Sequence, residues 1–292
     1  VNPSTYPPEV VAVMGAHPPT DEQWRAISWP LEPYVLVAGA GSGKTSVMAA
    51  RVVYLALAAT GRVAGHDGVL PGNVLCLTFT KKATDNLRHR VAQALAGLDL
   101  PEGEEPEIAN YHAFAAGLLE RSGMLVGIEP GQRVLTPAQR TELCGRVLDL
   151  MTFEHVRSER LPTVVDQILT LEDQATNHRV APDEIVAFCE QRLEALENVR
   201  SSRPFRAAQE RIELAKAVGL FRRLKRDLGV IDFGDQIELA LQVAERHPDV
   251  VDAYRRRFGA VLLDEYQDTD ITQARLLATI FGGGHPVTAV GD

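Results

Sequence analysis

Apolar and polar positions fall into two regimes along the chain. Tyr34-Val-Leu-Val-Ala38 and Val74-Leu-Cys-Leu-Thr-Phe79 are short apolar runs closed by glycine or polar clusters, the pattern of buried strands. A helical stretch is predicted from Lys44-Thr45 to about Ala59. A second helix follows the second run, with Ala83, Leu87, Val91 and Leu95 recurring every fourth position. Strand, helix, strand, helix in that order predicts a parallel sheet with right-handed crossovers. Gly97 to Pro106 reads as an acidic loop, and from about Ala113 to Leu228 nearly everything reads as helix. Within that stretch Thr136-Pro-Ala-Gln139 is a capped helix start, Pro182-Asp-Glu opens another helix, and a long charged helix covers Phe205 to Asp227. Buried-strand runs return at Val261-Leu-Leu263 and Val287-Thr-Ala-Val290. The fold class expected is α/β, a parallel sheet interrupted by an inserted all-helical domain. Residues 1–18, rich in Pro and small side chains, are expected to be a disordered lead-in. Thr20-Asp-Glu-Gln23 then opens a short helix.

Composition changes this picture little. Hydrophobic residues at 45% and charged residues at 24% are ordinary for a globular protein with a sizeable core. No apolar run approaches the ~18 residues of a membrane span. Cys76, Cys144 and Cys189 lie far apart, without a zinc-binding pair, and are expected to be buried thiols in a cytoplasmic protein. A net charge of −9 does not exclude nucleic acid, which needs only a local basic stripe. Candidate stripes are Lys81, Lys82, Arg88 and Arg90, then Arg222, Arg223, Lys225 and Arg226, then Arg255 to Arg257, each readable also as a solvated helix face. A start at Val1 rather than Met, and a stop at Asp292 just after an apolar run, lead us to expect a fragment.

The strongest chemistry lies between the first strand and its helix. Ala38-Gly-Ala-Gly-Ser-Gly-Lys-Thr45 is a phosphate-binding loop in the right context. Gly39, Gly41 and Gly43 let the backbone of Ala38, Ala40 and Ser42 curl so that N–H groups face phosphate oxygens at a helix N-terminus. Lys44 is expected to reach the β- and γ-phosphates of ATP, and the Thr45 hydroxyl to coordinate Mg²⁺. Val261-Leu-Leu-Asp-Glu265 sets two carboxylates at the end of a strand. Asp264 is the expected Mg²⁺ ligand, and Glu265 the base that orients and deprotonates water.

Asp264-Glu-Tyr-Gln-Asp-Thr269 resembles the DE(F/Y)QDT box of UvrD/Rep/PcrA-type superfamily-one DNA helicases, and Tyr254-Arg-Arg-Arg-Phe258 is similar to its lead-in. The glycine loop is that family's version, in which Ala38 is common. Leu77-Thr-Phe-Thr-Lys-Lys-Ala83 resembles its TFTNKAA motif, Asn110-Tyr-His-Ala-Phe114 its TFH segment, Val230-Ile-Asp-Phe-Gly-Asp235 its (L/V)DFxDL element, and Val290-Gly-Asp292 the start of its VGDxxQS motif. The resemblance runs from about Pro19 to Asp292. It implies a RecA-like P-loop NTPase motor domain at 19–112 and 229–292, with the helical domain at 113–228 inserted in it. It implies further that Gln23 reads the adenine edge, although as third residue after Thr20 it equally closes a capping box. Ser46, among the expected nucleotide contacts, stands where the family often has Arg.

For single-stranded DNA the expected contacts are Thr78, Phe79, Thr80 and Lys81 at the end of the second strand. Phe79 is readable as a stacking face or as core. Tyr111 and His112 join them by resemblance. Asp232 and Phe233 are read as contacts or as structural supports. The activity implied is ATP-dependent 3′–5′ helicase or translocase action on single strands and duplex–single-strand junctions, alongside DNA-repair or recombination proteins. Two rivals stand beside it: the motor part of a RecB/AddAB/AdnAB-type helicase–nuclease, and a nucleotide- and DNA-binding module inactive alone. None of the arginines near the motifs lies in a segment resembling the family's finger motifs, so the 292-residue chain is expected to bind ATP and turn it over poorly.

Overall fold

A computed structural model describes residues 6–15, 17–39, 41–101, 103–156 and 160–292. In chain order the elements are α1 (Pro8–Met14), α2 (Asp21–Ile27), β1 (Tyr34–Val37), α3 (Lys44–Ala59), β2 (Val74–Thr78), α4 (Lys81–Leu95), β3 (Glu107–Asn110), α5 (Tyr111–Ser122), β4 (Arg133–Val134), α6 (Pro137–Leu150), α7 (Leu161–His178), α8 (Pro182–Ala195), α9 (Arg203–Asp227), β5 (Val230–Ile231), α10 (Phe233–Arg246), α11 (Pro248–Arg257), β6 (Ala260–Leu263), α12 (Ile271–Phe281) and β7 (Val287–Gly291). Packing divides the chain into two units. One is built from Val1–Gly117 and Ala244–Asp292, the other from Leu118–Val243.

The first unit holds a five-stranded, all-parallel sheet in the order β1-β7-β6-β2-β3. Register places Val37 beside Gly291, Leu77 beside Leu263, and Thr78 beside Asn110, so the four segments that follow β1, β6, β2 and β3 leave the sheet at one edge. On one face α3 is buried along nearly its whole length, packing with Val74, Cys76, Leu262 and Val290 of the strands. Such a face must be covered, because parallel strands are apolar on both sides. The buried Arg51 of α3 donates to the carbonyls of Ile27 (3.1 Å), Trp29 (2.8 Å) and Pro30 (3.2 Å), tying the end of α2 to α3.

The expected disordered lead-in is corrected over most of its length. Pro8 starts α1, whose Val10 is fully buried, and the Tyr6 ring packs on Trp24 at 4.7 Å between centroids. The Pro-rich composition masked a Pro-initiated helix with an apolar stripe. Residues 1–5 and 16 of that expectation lie outside the described residues.

The second unit is mostly helical, with a core of Val147, Ile168, Val218 and Phe221 from α6, α7 and α9. It is not all helix: β4 and β5 pair in parallel, Arg133 with Val230 and Val134 with Ile231. Two-residue strands give no periodic signal, which is why the sequence reads as uninterrupted helix there. The units change at 117/118 and 243/244, inside the continuous helices α5 and α10, whereas the motifs set the expected divisions at 112/113 and 228/229.

A buried ionic cluster holds the second unit's centre. The Lys225 ammonium donates to Asp235 (2.7 and 2.9 Å), Asp232 (2.9 Å) and Glu172 (3.3 Å). Arg140 reaches Asp232 at 3.0 Å and Arg222 reaches Glu172 at 2.8 Å. Glu172, Asp232 and Asp235 are close enough to hold a metal ion, but the ammonium sits among them. Asp232 is buried within this cluster, all of whose members belong to the second unit. Cys76, Cys144 and Cys189 are buried free thiols, as expected. Among the described residues no helix is long and apolar enough to cross a membrane.

Candidate active site

The glycine loop leaves β1 and enters α3. Ala38 N–H continues the ladder to the Gly291 carbonyl at 3.0 Å, and Ser42 N–H closes a turn on Gly39 at 3.2 Å. Gly41 and Gly43 sit at φ +80° and +85°, left-handed backbone that side chains rarely adopt. A Cβ placed on Gly39 or Gly41 would meet nothing within 4 Å, so the loop borders open space. No side chain caps α3, which leaves its first N–H groups facing that space. The cradle suits a phosphate chain. Ala40 lies outside the described residues. Thr45 is half-buried in the first turn of α3.

Lys44 is nearly buried, and its ammonium donates to the Ala38 carbonyl at 2.9 Å and to the Asp292 carboxylate. Ser46 accepts from Arg90 of α4 at 2.6 Å. Gln23 follows its capping reading: Thr20 N–H donates to its Oε1 at 3.0 Å, while Gln23 N–H donates to the Thr20 hydroxyl at 3.2 Å. Its Nε2 then donates to the Ser42 carbonyl at 3.0 Å. One N–H and one lone pair of the amide are thus engaged, and Gln23 braces the loop from α2.

Asp264 and Glu265 leave β6 two strands away. Asp264 is 2% exposed, and its N–H continues the ladder to Leu77 O at 2.8 Å. Burial pushes its carboxyl above the ordinary range and repulsion from Glu265 adds to this, against the Glu265 N–H bond (3.1 Å) and the Lys44 charge. Glu265 has φ +50° and ψ +44°, rare for a side-chain-bearing residue. The Gln267 amide donates to Glu265 Oε2 at 2.7 Å, and its own oxygen accepts the Asp292 N–H at 3.2 Å. A hydroxyl at Thr45 and a buried carboxylate at Asp264 are hard oxygen donors of the kind that suits Mg²⁺.

The expected DNA contacts divide. Phe79 is 45% exposed at the sheet's carboxyl edge, and Lys81 is exposed in the first turn of α4. Thr80 is exposed, but its hydroxyl caps α4 by accepting Ala83 N–H at 3.1 Å. Thr78 is corrected: it is fully buried, its hydroxyl 2.6 Å from that of Thr84 and 3.2 Å from the Thr80 carbonyl. Tyr111 is corrected too. It is 3% exposed, with its hydroxyl 3.1 Å from Thr269, and burial pushes the phenol up to about 12. As the first residue after β3 it begins α5, whose inner side is core. His112 is half-buried, and burial lowers its imidazole pKa against the opposing Asp270 charge. Phe79 and Tyr111 follow the paired residues Thr78 and Asn110, so they leave adjacent strands at one level.

Sequence reading missed three of these participants. Gln267 lay in a recognised string with no role, Arg90 was one cation in a stripe, and Asp292 had no partner until β7 was placed beside β1.

A glycine loop heading α3 and an acid pair ending β6, all at the carboxyl edge of one parallel sheet, define a phosphate-binding α/β protein. A family model described as UvrD/REP helicase N-terminal domain matches residues 19–292, and the chain belongs to that family. It is 25% identical to DNA helicase II of Haemophilus influenzae over 272 residues, covering 93% of this chain and 33% of that protein. It is 26% identical to the ATP-dependent DNA helicase PcrA of Staphylococcus aureus over 273 residues, covering 93% of this chain and 32% of the relative. The PcrA of Staphylococcus epidermidis gives 26% over 276 residues. The chain thus spans about a third of the length of the curated relatives it matches.

Proposed function

We propose that this chain is the ATP-binding part of a DNA helicase or translocase moving 3′ to 5′ along single-stranded DNA. In this reading the first unit is a RecA-like motor domain and the second its mostly helical insertion. The observation that carries it is the placing of Lys44, Asp264, Glu265 and the exposed Phe79 at one edge of one sheet.

The loop N–H groups and Lys44 hold the β- and γ-phosphates of ATP, and Lys44 must exchange the Asp292 carboxylate for them. Thr45 and Asp264 hold Mg²⁺, which neutralises charge on the phosphate oxygens when bound. Glu265 takes the proton from the attacking water as its oxygen bonds to the γ-phosphorus and the bond to the β-phosphate oxygen breaks, releasing ADP. Phe79 offers a face on which a base stacks, and Lys81 a charge for the DNA backbone. Duplex–single-strand junctions and repair or recombination proteins fit such a motor as partners, working in the cytoplasm.

The test is ATP turnover with saturating single-stranded DNA in the full-length protein. Lys44→Ala is expected to abolish nucleotide binding, and Glu265→Gln to retain ATP with little hydrolysis. Hydrolysis at the parent rate in Glu265→Gln would move the base elsewhere.

A further inference from the structure

Within the string Asp264 to Thr269, Gln267 has no task in the proposed mechanism, yet its side chain touches the proposed base. Gln267 is exposed, in a short 3₁₀ turn directly after Glu265, and each end of its amide meets a different partner. Its N–H donates to the Glu265 carboxylate at 2.7 Å, and its oxygen accepts from the Asp292 backbone at 3.2 Å. Donor and acceptor are both used, so the amide has one orientation that satisfies both. The preceding residue of β7 makes room for it. A Cβ on Gly291 would stand 2.5 Å from Gln267 Oε1, closer than side-chain carbons come to such an oxygen. The same Asp292 gives its carboxylate to Lys44.

We propose that Gln267 is a positioning residue that fixes the Glu265 carboxylate against the end of β7 and so links the base to the phosphate-binding lysine. The proposal rests on reading Glu265 as the base. The connection runs Lys44, Asp292, Gln267, Glu265, with each neighbouring pair in direct contact. When phosphate displaces the Asp292 carboxylate from Lys44, the strand end stays in the ladder through the Gly291 carbonyl, and the Asp292 N–H still holds the Gln267 amide. Gln267 therefore keeps its donor on the carboxylate that must face the water. A charged group held by a fixed donor also loses less orientation on the way to reaction, which is where a small misplacement costs most.

The test uses the full-length protein with saturating single-stranded DNA. Gln267→Leu keeps the bulk and removes both hydrogen bonds. It is expected to lower kcat about ten- to hundred-fold, with the KM for ATP, the nucleotide Kd by calorimetry and the melting temperature near the parent's. Gly291→Ala, which pushes the amide aside without altering it, is expected to lower kcat in the same direction. The double variant Glu265→Gln/Gln267→Leu is expected to be no slower than Glu265→Gln, because a residue acting through Glu265 has nothing left to act on. A parent-like kcat in Gln267→Leu beside an inactive Glu265→Gln overturns the proposal and leaves the base assignment standing. Losses that multiply in the double variant overturn it as well. Parent-rate turnover in Glu265→Gln removes the base assignment and the proposal with it.

Discussion

Lys44 and Asp292, 248 positions apart, are joined ammonium to carboxylate at the mouth of the glycine loop. Asp292 occupies the charge that the proposed mechanism reserves for phosphate, so it competes with nucleotide. Its carboxylate is half exposed, and such pairs contribute about 0.2–1 kcal/mol. Asp292→Asn is therefore expected to tighten ATP binding by up to about five-fold, read by calorimetry. Weaker binding would mean that the carboxylate assists the nucleotide instead.

Phe79 and Tyr111 leave adjacent strands yet face different surroundings. Phe79→Ala is expected to weaken single-stranded DNA binding by about 1–3 kcal/mol, with little change in the thermal melt, since the ring is already half in water. Fluorescence anisotropy across a salt series measures the first, and calorimetric melting the second. A melt that falls in step with affinity would show the ring to be core.

Tyr111→Phe has the opposite expected profile. Losing the hydroxyl leaves Thr269 without its 3.1 Å partner and costs about 0.5–1.5 kcal/mol of stability in urea. DNA affinity should not change at any salt concentration. A selective loss of DNA affinity would return Tyr111 to the nucleic-acid face.

Among the described residues, Lys225 is the one cation in the second unit's cluster that touches all three of Glu172, Asp232 and Asp235. Lys225→Met leaves the buried Glu172 and Asp232 and the half-buried Asp235 without their shared ammonium and is expected to cost about 3–5 kcal/mol, measured by urea denaturation near neutral pH.

The same cluster sets a pH dependence. Burial works to raise the Asp232 carboxyl, but Lys225, its hydrogen bond, and Arg140 outweigh it and hold the group below its ordinary range. A carboxyl depressed on folding stabilises the fold above its unfolded value, about 3.9, and that contribution disappears as pH falls through the folded value. The parent protein should therefore lose stability on acidification below about pH 4, and Arg140→Leu, which removes one of the depressing charges, should weaken that dependence. Thermal melts between pH 2 and about 7 decide it; identical slopes would place the acid sensitivity outside this cluster.

The sheet was legible because each of its longer strands is an apolar run that ends in a chemical signal: Val37 before the glycines, Leu263 before the acids, Thr78 before Phe79. Capping residues were equally readable, since Thr20, Thr136 and their glutamines act within four positions. What escaped was whatever depends on a distant partner. Thr78 looks polar until Thr84 folds back over it, and Tyr111 looks like a stacking ring until Thr269, 158 positions on and just after β6, meets its hydroxyl. Gln23 offered two readings because the capping box is local and visible, whereas its bond to Ser42 spans 19 positions. The brief strands β4 and β5, and α1 behind its prolines, were hidden by being shorter than the patterns that reveal strands and helices.

The pairing of β4 with β5 has an evolutionary consequence. Gln132 and Gly229, 97 positions apart, are bonded at 2.7 Å beside the two strands, so the segment between them starts and finishes at one place. Closing a longer loop costs only logarithmically more entropy, about 0.6 kcal/mol per doubling. Connections between Leu135 and Leu228 can therefore lengthen or shorten at small entropic cost while the two stumps stay clasped, provided α6, α7 and α9 keep their core. Length changes confined to those connections leave the Gln132–Gly229 clasp intact.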